Sequence, residues 1–188
     1  MNSSHQNWLS EEVLSYLPDK VIKPKRFNNT MFFRIQSEVP PVVQIRLKVE
    51  INCYEHFNEL GLVKVPFSYE SLWASGSCNL TTYKLEELLG TKMRALYQRK
   101  KGRDLFDLAY ALQNAKVNPE EIVRCYKRYI GFVVETPPTY KQFVANMEEK
   151  LADPEFTGDT VKLLRPGISY DPISAWETVR ETLVNRIR

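Results

Sequence analysis

The sequence predicts an α+β protein, with strands gathered in the first part of the chain and helices in the second. Three observations point there. Residues 42–53 alternate apolar and polar side chains with the two-residue period of a pleated strand, whereas from Lys84 onward apolar residues return every three or four positions. Prolines and short polar stretches separate the helical segments at the spacing of ordinary connections, as at Pro137-Pro138 and Arg165-Pro166-Gly167.

The first segment with a regular pattern is 7–17, where Trp8, Val13 and Leu17 fall at helical intervals and Pro18 ends the run. After it the character turns to β. Phe32-Phe33-Arg34-Ile35 is rich in aromatic and β-branched residues, and Val39-Pro40-Pro41 reads as a turn or edge break. In the next strand Val43, Ile45, Leu47, Val49 and Ile51 share one face, and Gln44, Arg46, Lys48, Glu50 and Asn52 share the other. Residues 63–67 and 73–82 continue as short strands and turns, with Gly76-Ser77 expected in a loop. Helices are then expected over 84–99, 103–114, 119–132, 140–151 and 172–187. Asn118-Pro119 followed by two glutamates is a capped helix start with proline at the first helical position.

Composition excludes several classes. At 188 residues, 43% of them hydrophobic and 12% aromatic, the chain can bury a core and is not a disordered segment. A net charge of +3, from 26 Lys and Arg against 23 Asp and Glu, is too mild to argue for nucleic acid on charge alone. Cys53, Cys78 and Cys125 are odd in number and form no CxxC pair, which fits a reduced cytoplasm better than a disulfide framework or zinc site. No apolar run reaches the roughly 18 residues of a membrane span, and the first ten residues lack a secretory pattern. A soluble cytoplasmic protein without a membrane partner is therefore expected.

The chemistry concentrates in TKMRALYQRKKGRDLFDLAYAL, residues 91–112. In the first helix Leu85, Leu88, Leu89 and Leu96 form an apolar stripe, and Lys92 falls inside it, with Arg99 seven residues on along the same side. Such cations either snorkel, laying their stems on apolar surface while the heads reach water, or find an acidic partner. In the second helix Leu105, Leu108, Ala109 and Leu112 mark the apolar face, with Arg103, Asp104 and Asp107 on the opposite side. These three make an ordinary intrahelical ion-pair set, or else an acidic cluster set across the Gly102 turn from Lys92 and Arg99. The second arrangement would give a charged pocket suited to phosphate oxygens.

Three stretches, LKVEIN at 47–52, LEELLGTKMRALYQR at 85–99 and KGRDLFDL at 101–108, resemble the AbiEii/AbiGii nucleotidyltransferase toxins of bacterial type IV toxin–antitoxin systems in order and approximate spacing. The resemblance implies a polymerase-β-type nucleotidyltransferase, in which a Gly-Ser turn holds the triphosphate, carboxylates bind Mg²⁺ and a lysine contacts phosphates. It implies Glu50 as the third strand carboxylate and metal ligand, Lys92 as the phosphate-contacting catalytic lysine, Arg99 as its companion and Asp104 as the acidic residue of the last motif. Arg103 and Asp107 would complete the nucleotide-binding set, with a structural role in the same last motif as the alternative for Asp107. A nucleoside triphosphate, transfer RNA and an antitoxin protein are the implied partners. Residues 1–83 would be a partial nucleotidyltransferase-like α+β part with mostly antiparallel strands, packed as a single domain with a helical part, 84–188. Read from the residues alone, Glu50 also fits a solvated strand face balanced by Arg46 and Lys48.

The departures from the family pattern are specific. Residues 1–49 contain no glycine and one aspartate, Asp19, so the Gly-Ser turn and Asp-x-Asp that precede the LKVEIN strand in the family are missing. Gly76-Ser77 follows that strand, and Asp153-Pro154-Glu155 lies between helices. Because two-metal phosphoryl transfer needs carboxylates to hold the ions, the expectation is a truncated or inactive form that keeps part of a nucleotide pocket, Mg²⁺ belonging to complete family members. The alternative is a non-enzymatic module that pairs with an antitoxin or, as a homodimer, with itself through an exposed strand edge. A basic RNA-binding patch of Arg94, Arg99, Lys100, Lys101 and Arg103 beside Tyr97 is a third reading.

Overall fold

The computed structural model describes residues 19–24, 28–161 and 163–187. The helix expected at 7–17 lies outside them. The chain divides between Phe57 and Asn58 into two compact units.

The first unit holds three antiparallel strands in the order β1-β2-β3, with β1 at Asp19–Pro24, β2 at Asn28–Gln36 and β3 at Gln44–Asn52. The register sets Met31 opposite Val49, Phe33 opposite Leu47 and Ile35 opposite Ile45, so one face is apolar. Thr30 opposite Glu50, Phe32 opposite Lys48 and Arg34 opposite Arg46 occupy the other. There the Arg46 guanidinium lies 4.2 Å from the centre of the Phe32 ring. Around the Pro40-Pro41 turn, Ser37 N–H donates to the Val43 carbonyl and Val43 N–H to the Ser37 hydroxyl, both at 2.9 Å. Alternation fixed the pleat without fixing burial: Phe33 is 1% exposed, but Ile45 and Leu47 on β3 are 51% and 45% exposed.

The second unit opens with a hairpin, β4 at Leu62–Glu70 and β5 at Ser75–Tyr83. Gly76-Ser77 lies within β5, pairing with Tyr69 and Ser68, and not in the expected loop. The turn falls earlier because Ser71 closes it, its hydroxyl accepting from the Trp73 and Ala74 N–H groups. Six helices follow: α1 at Leu85–Gln98, α2 at Gly102–Asn114, α3 at Pro119–Val133, α4 at Tyr140–Leu151, α5 at Pro154–Gly158 and α6 at Pro172–Thr182. The architecture is α+β, as the sequence predicts.

Local chemistry explains most of these ends. The Asn118, Asp153 and Asp171 side chains accept from backbone N–H groups in the first turns of α3, α5 and α6, each with proline at the helix start. Thr139 and Gln142 form a reciprocal capping box on α4. Helix α6 stops five residues before the expected Ile187 and gives way to a 3₁₀ turn, Val184–Arg186. Arg186 supports that change by folding back onto the Glu181 and Thr182 carbonyls, which the ended helix leaves unpaired.

The core lies among these helices, with Met93, Leu96, Leu105, Leu108, Ile122, Tyr126, Phe143, Met147 and Val179 fully buried. The stripe on α1 is rotated from the expected one. Leu89, Met93 and Leu96 are buried, whereas Leu85 and Leu88 are exposed, and Glu87 is buried with the inner face. Two glycines allow close approach. A Cβ on Gly90 would sit 2.5 Å from Cys125 Cβ and 2.9 Å from the Ile122 carbonyl oxygen on α3. One on Gly102 would meet the Phe156 carbonyl oxygen of α5 at 2.1 Å.

Candidate functional site

Lys92 lies in the middle of α1, Arg99 directly follows that helix, and Asp104 and Asp107 lie in the first half of α2. The three-residue link Arg99-Lys100-Lys101 and the close seat of Gly102 against α5 turn the chain back, bringing these side chains together. Asp104 is the centre. Its carboxylate is fully buried and accepts from Arg99 Nε at 2.6 Å, Arg99 Nη2 at 2.7 Å and Lys92 Nζ at 3.2 Å. Lys92 also contacts Asp107 at 2.6 Å.

This geometry corrects one expectation and matches the second of the two arrangements open for the charged residues. Asp104 does not sit on the face opposite the apolar residues of α2; it is buried beside Leu105 and Leu108. It can be, because two cations reach it: a buried carboxylate without partners would be far less stable. Asp107 pairs with Lys92 across the helices, while Arg103 is exposed and its backbone N–H donates to Asp159 at 3.3 Å. Lys92 and Arg99 do not simply snorkel; each is held by a carboxylate.

Burial pushes the Asp104 carboxyl up, but hydrogen bonds from Arg99 and the charges of Arg99 and Lys92 outweigh it and hold the group below its usual 3.8. The cations are not sealed in. The Lys92 side chain is 34% exposed and that of Arg99 52%. A polyanion could reach both while Asp104 keeps them 12 and 5 residues from itself in sequence but adjacent in space.

Two buried charges escaped sequence reasoning. Lys150 of α4 is 6% exposed and donates to the carbonyls of Leu96 and, at 2.8 Å, Tyr97 at the end of α1. Glu87 is fully buried and accepts from Glu59 N–H at 2.7 Å, Leu60 N–H at 3.0 Å and the Tyr129 hydroxyl at 2.7 Å. Neither has a sequence signature beyond its place among apolar neighbours at helical spacing.

Glu50 belongs to the first unit, where its carboxylate pairs with Lys48 at 2.8 Å on the strand face that also carries Arg46. Among the described residues, no three His, Cys, Asp or Glu side chains come together as a metal site. Glu50 has lysine and arginine neighbours on its strand face, and Asp104 and Asp107 are ion-paired to Lys92 and Arg99. Part of the expected basic patch is engaged elsewhere. Lys100 pairs with Asp153, Arg94 lies 5.6 Å from the Tyr129 ring centre, and the Tyr97 ring packs on Phe143. Among the described residues no helix is long and apolar enough to cross a membrane.

The chain thus pairs antiparallel strands with a helical body whose first helix–helix turn carries a lysine–arginine–aspartate cluster. The family model described as nucleotidyl transferase AbiEii toxin, type IV TA system, matches residues 6–182, and the chain belongs to that family. That description assigns the family to a toxin–antitoxin system, which points to an antitoxin as the family's partner. No curated protein and no solved structure matched the chain.

Proposed function

We propose that the chain binds a nucleoside triphosphate through Lys92 and Arg99 and is inactive in nucleotidyl transfer by itself. The observation that carries the binding half is the buried Asp104, which fixes an ammonium and a guanidinium side by side at a solvent-accessible surface. Preorganised cations of this kind suit phosphate oxygens: Arg99 keeps a guanidinium edge free of Asp104, and Lys92 can exchange the half-exposed Asp107 for a phosphate. Arg103, at the exposed start of α2, adds positive charge beside them. The inactive half rests on the missing Gly-Ser and Asp-x-Asp before the LKVEIN strand and on Glu50 lying among cations.

In a complete enzyme of this class, an RNA 3′-hydroxyl, that of transfer RNA being the family's expectation, would attack the α-phosphate. A new P–O bond would form as the bond to the β-phosphate oxygen breaks and pyrophosphate leaves. Here Lys92 and Arg99 would bind and orient the phosphates, and Asp104 would hold both cations in place.

Calorimetric titration with each nucleoside triphosphate tests the reading. The expected result is binding by the native chain that falls at least tenfold in Lys92→Ala and in Arg99→Ala. Equal affinity in all three proteins would overturn it, and transfer of labelled nucleotide to RNA by the isolated chain would overturn the inactive half.

An interaction role is the second reading, favoured by the β4–β5 hairpin. Val65, Phe67, Tyr69 and Leu80 share one face of it and are 45–51% exposed. Stoichiometric association with the cognate antitoxin or a second copy, lost in Phe67→Ser, would support that role; an unchanged monomer in the presence of the antitoxin would remove it.

A further inference from the structure

Beyond Asp107, the same helix borders a second feature. A cavity of about 320 Å³ lies between the C-terminal half of α2 and the segment 168–175 that leads into α6. That volume is at the lower end of the range for small-ligand sites, about 300–1,000 Å³. Three aromatic side chains, Phe106, Tyr110 and Tyr170, form part of its wall. Phe106 and Tyr110 stack with centroids 5.6 Å apart and planes at 27°, and Tyr170 meets Phe106 edge-on at 5.2 Å.

Polar groups complete the lining. Gln113 and Asn114 bring amides, and Asn114 is steadied by donating one N–H to the Tyr110 carbonyl at 2.8 Å. The Tyr170 hydroxyl is buried and hydrogen-bonds to none of the described residues. Burial and the neighbouring Asp171 and Asp107 carboxylates push this phenol up, so it stays a neutral donor. Aromatic faces with amide and hydroxyl groups at the edge match one ligand chemistry well, that of a nucleobase, whose ring stacks while its rim exchanges hydrogen bonds.

Position ties the cavity to the cation cluster. Tyr110 follows Asp107 by three residues, on the same side of α2 and about 4.5 Å further along its axis. Asp107 in turn contacts Lys92. We propose that the Phe106–Tyr110–Tyr170 cavity is the nucleobase subsite for the nucleotide whose phosphates lie on Lys92 and Arg99. The inference rests on the phosphate-binding reading above and adds to it the part of the substrate that carries identity.

Calorimetry with inorganic tripolyphosphate, the four nucleoside triphosphates and a short single-stranded RNA tests it on the full chain and on Tyr110→Leu, Asn114→Ala and Lys92→Ala. Tyr110 is 49% exposed, and leucine keeps apolar bulk without an aromatic face. The expected result is a roughly 5- to 150-fold loss of nucleoside triphosphate affinity in Tyr110→Leu with tripolyphosphate binding unchanged. Asn114→Ala is expected to alter the ranking among the four bases, and Lys92→Ala to weaken every phosphate ligand. Unchanged nucleotide affinity in Tyr110→Leu, with loss in Lys92→Ala, would overturn the base subsite while leaving the phosphate reading intact. Binding of neither nucleotide nor tripolyphosphate to the native chain would overturn both. If Tyr110→Leu weakened only the RNA, the cavity would hold an acceptor base, and the inference would be wrong.

Discussion

The Lys150 ammonium donates to the Tyr97 carbonyl oxygen at 2.8 Å, tying α4 to the last turn of α1. A second bond from the same nitrogen reaches the Leu96 carbonyl. Both acceptors belong to the end of a helix, where carbonyls lack intrahelical partners and the macrodipole is negative. Replacing the lysine by methionine would keep most of its stem and strip the cap. Lys150→Met is expected to destabilise the protein by about 1–3 kcal/mol, read as a lower denaturation midpoint at pH 7. Because Arg99 follows directly, the variant is also expected to loosen the Arg99–Asp104 pair, visible as faster amide exchange at residues 96–101.

Burial pulls the Lys150 pKa from 10.5 down to about 8, with Asp104 and Glu149 opposing the shift and Lys100 adding to it. Between those two values the unfolded chain binds the proton that the folded chain has lost. This lysine's contribution to stability therefore rises with pH from about 8 to about 10.5. Native stability measured against Lys150→Met is expected to gain over that interval; a flat difference would show that the ammonium stays charged.

At Asp104 the sign is reversed. Its folded pKa lies below 3.8, so the stability it contributes is present above that value and drains away as pH falls through the folded one. Asp104→Asn should lower stability by about 1–3 kcal/mol near neutrality and make acid unfolding less steep below about pH 4. Asp107→Asn should cost about 0–1 kcal/mol, because that carboxylate is half exposed.

Three glycines provide a graded test of packing. Gly102→Ala should be the most damaging, since its Cβ meets a backbone oxygen that cannot rotate away. Gly90→Ala should cost about 1–3 kcal/mol by forcing α1 from α3. Gly131, in α3 with open space around it, should become more stable as alanine by about 0.5–1 kcal/mol. Thermal melts of the three variants would reveal any other order.

Glu87→Gln exchanges one of two accepting oxygens for a donor that cannot serve Glu59, Leu60 and Tyr129 together. A loss of about 1–3 kcal/mol is expected. The Glu59 and Leu60 amides should exchange with solvent faster than those of α3, which hydrogen-deuterium exchange would resolve.

Much of this organisation was legible in the chain because it is local. The pleat of β3 follows from residues two apart, and the start of α3 from Asn118-Pro119. The meeting of Lys92 and Arg99 with Asp104 needed only a short turn between two helices. What was not legible depends on a third element. The fate of Ile45 and Leu47 depends on what lies over the sheet, not on their spacing. Asp104 was misplaced because a carboxylate beside Leu105 looks exposed until its cations are counted. Lys150 reads like any helix lysine, and its acceptors are more than 50 residues away. Gly76-Ser77 looked like a turn because these residues favour turns, but Ser71 had already closed one.

Asn118-Pro119, Asp153-Pro154 and Asp171-Pro172 form a shared grammar at the starts of three helices. In each, the proline holds its own backbone angle and the preceding side chain takes up an amide, so the starting point is chosen within a few residues and without help from the core. The helices can thus meet with their phase already set. Assembly becomes a search over how rods of known beginning dock, and a fragment opening at Asn118 would carry its own instruction for where to begin coiling.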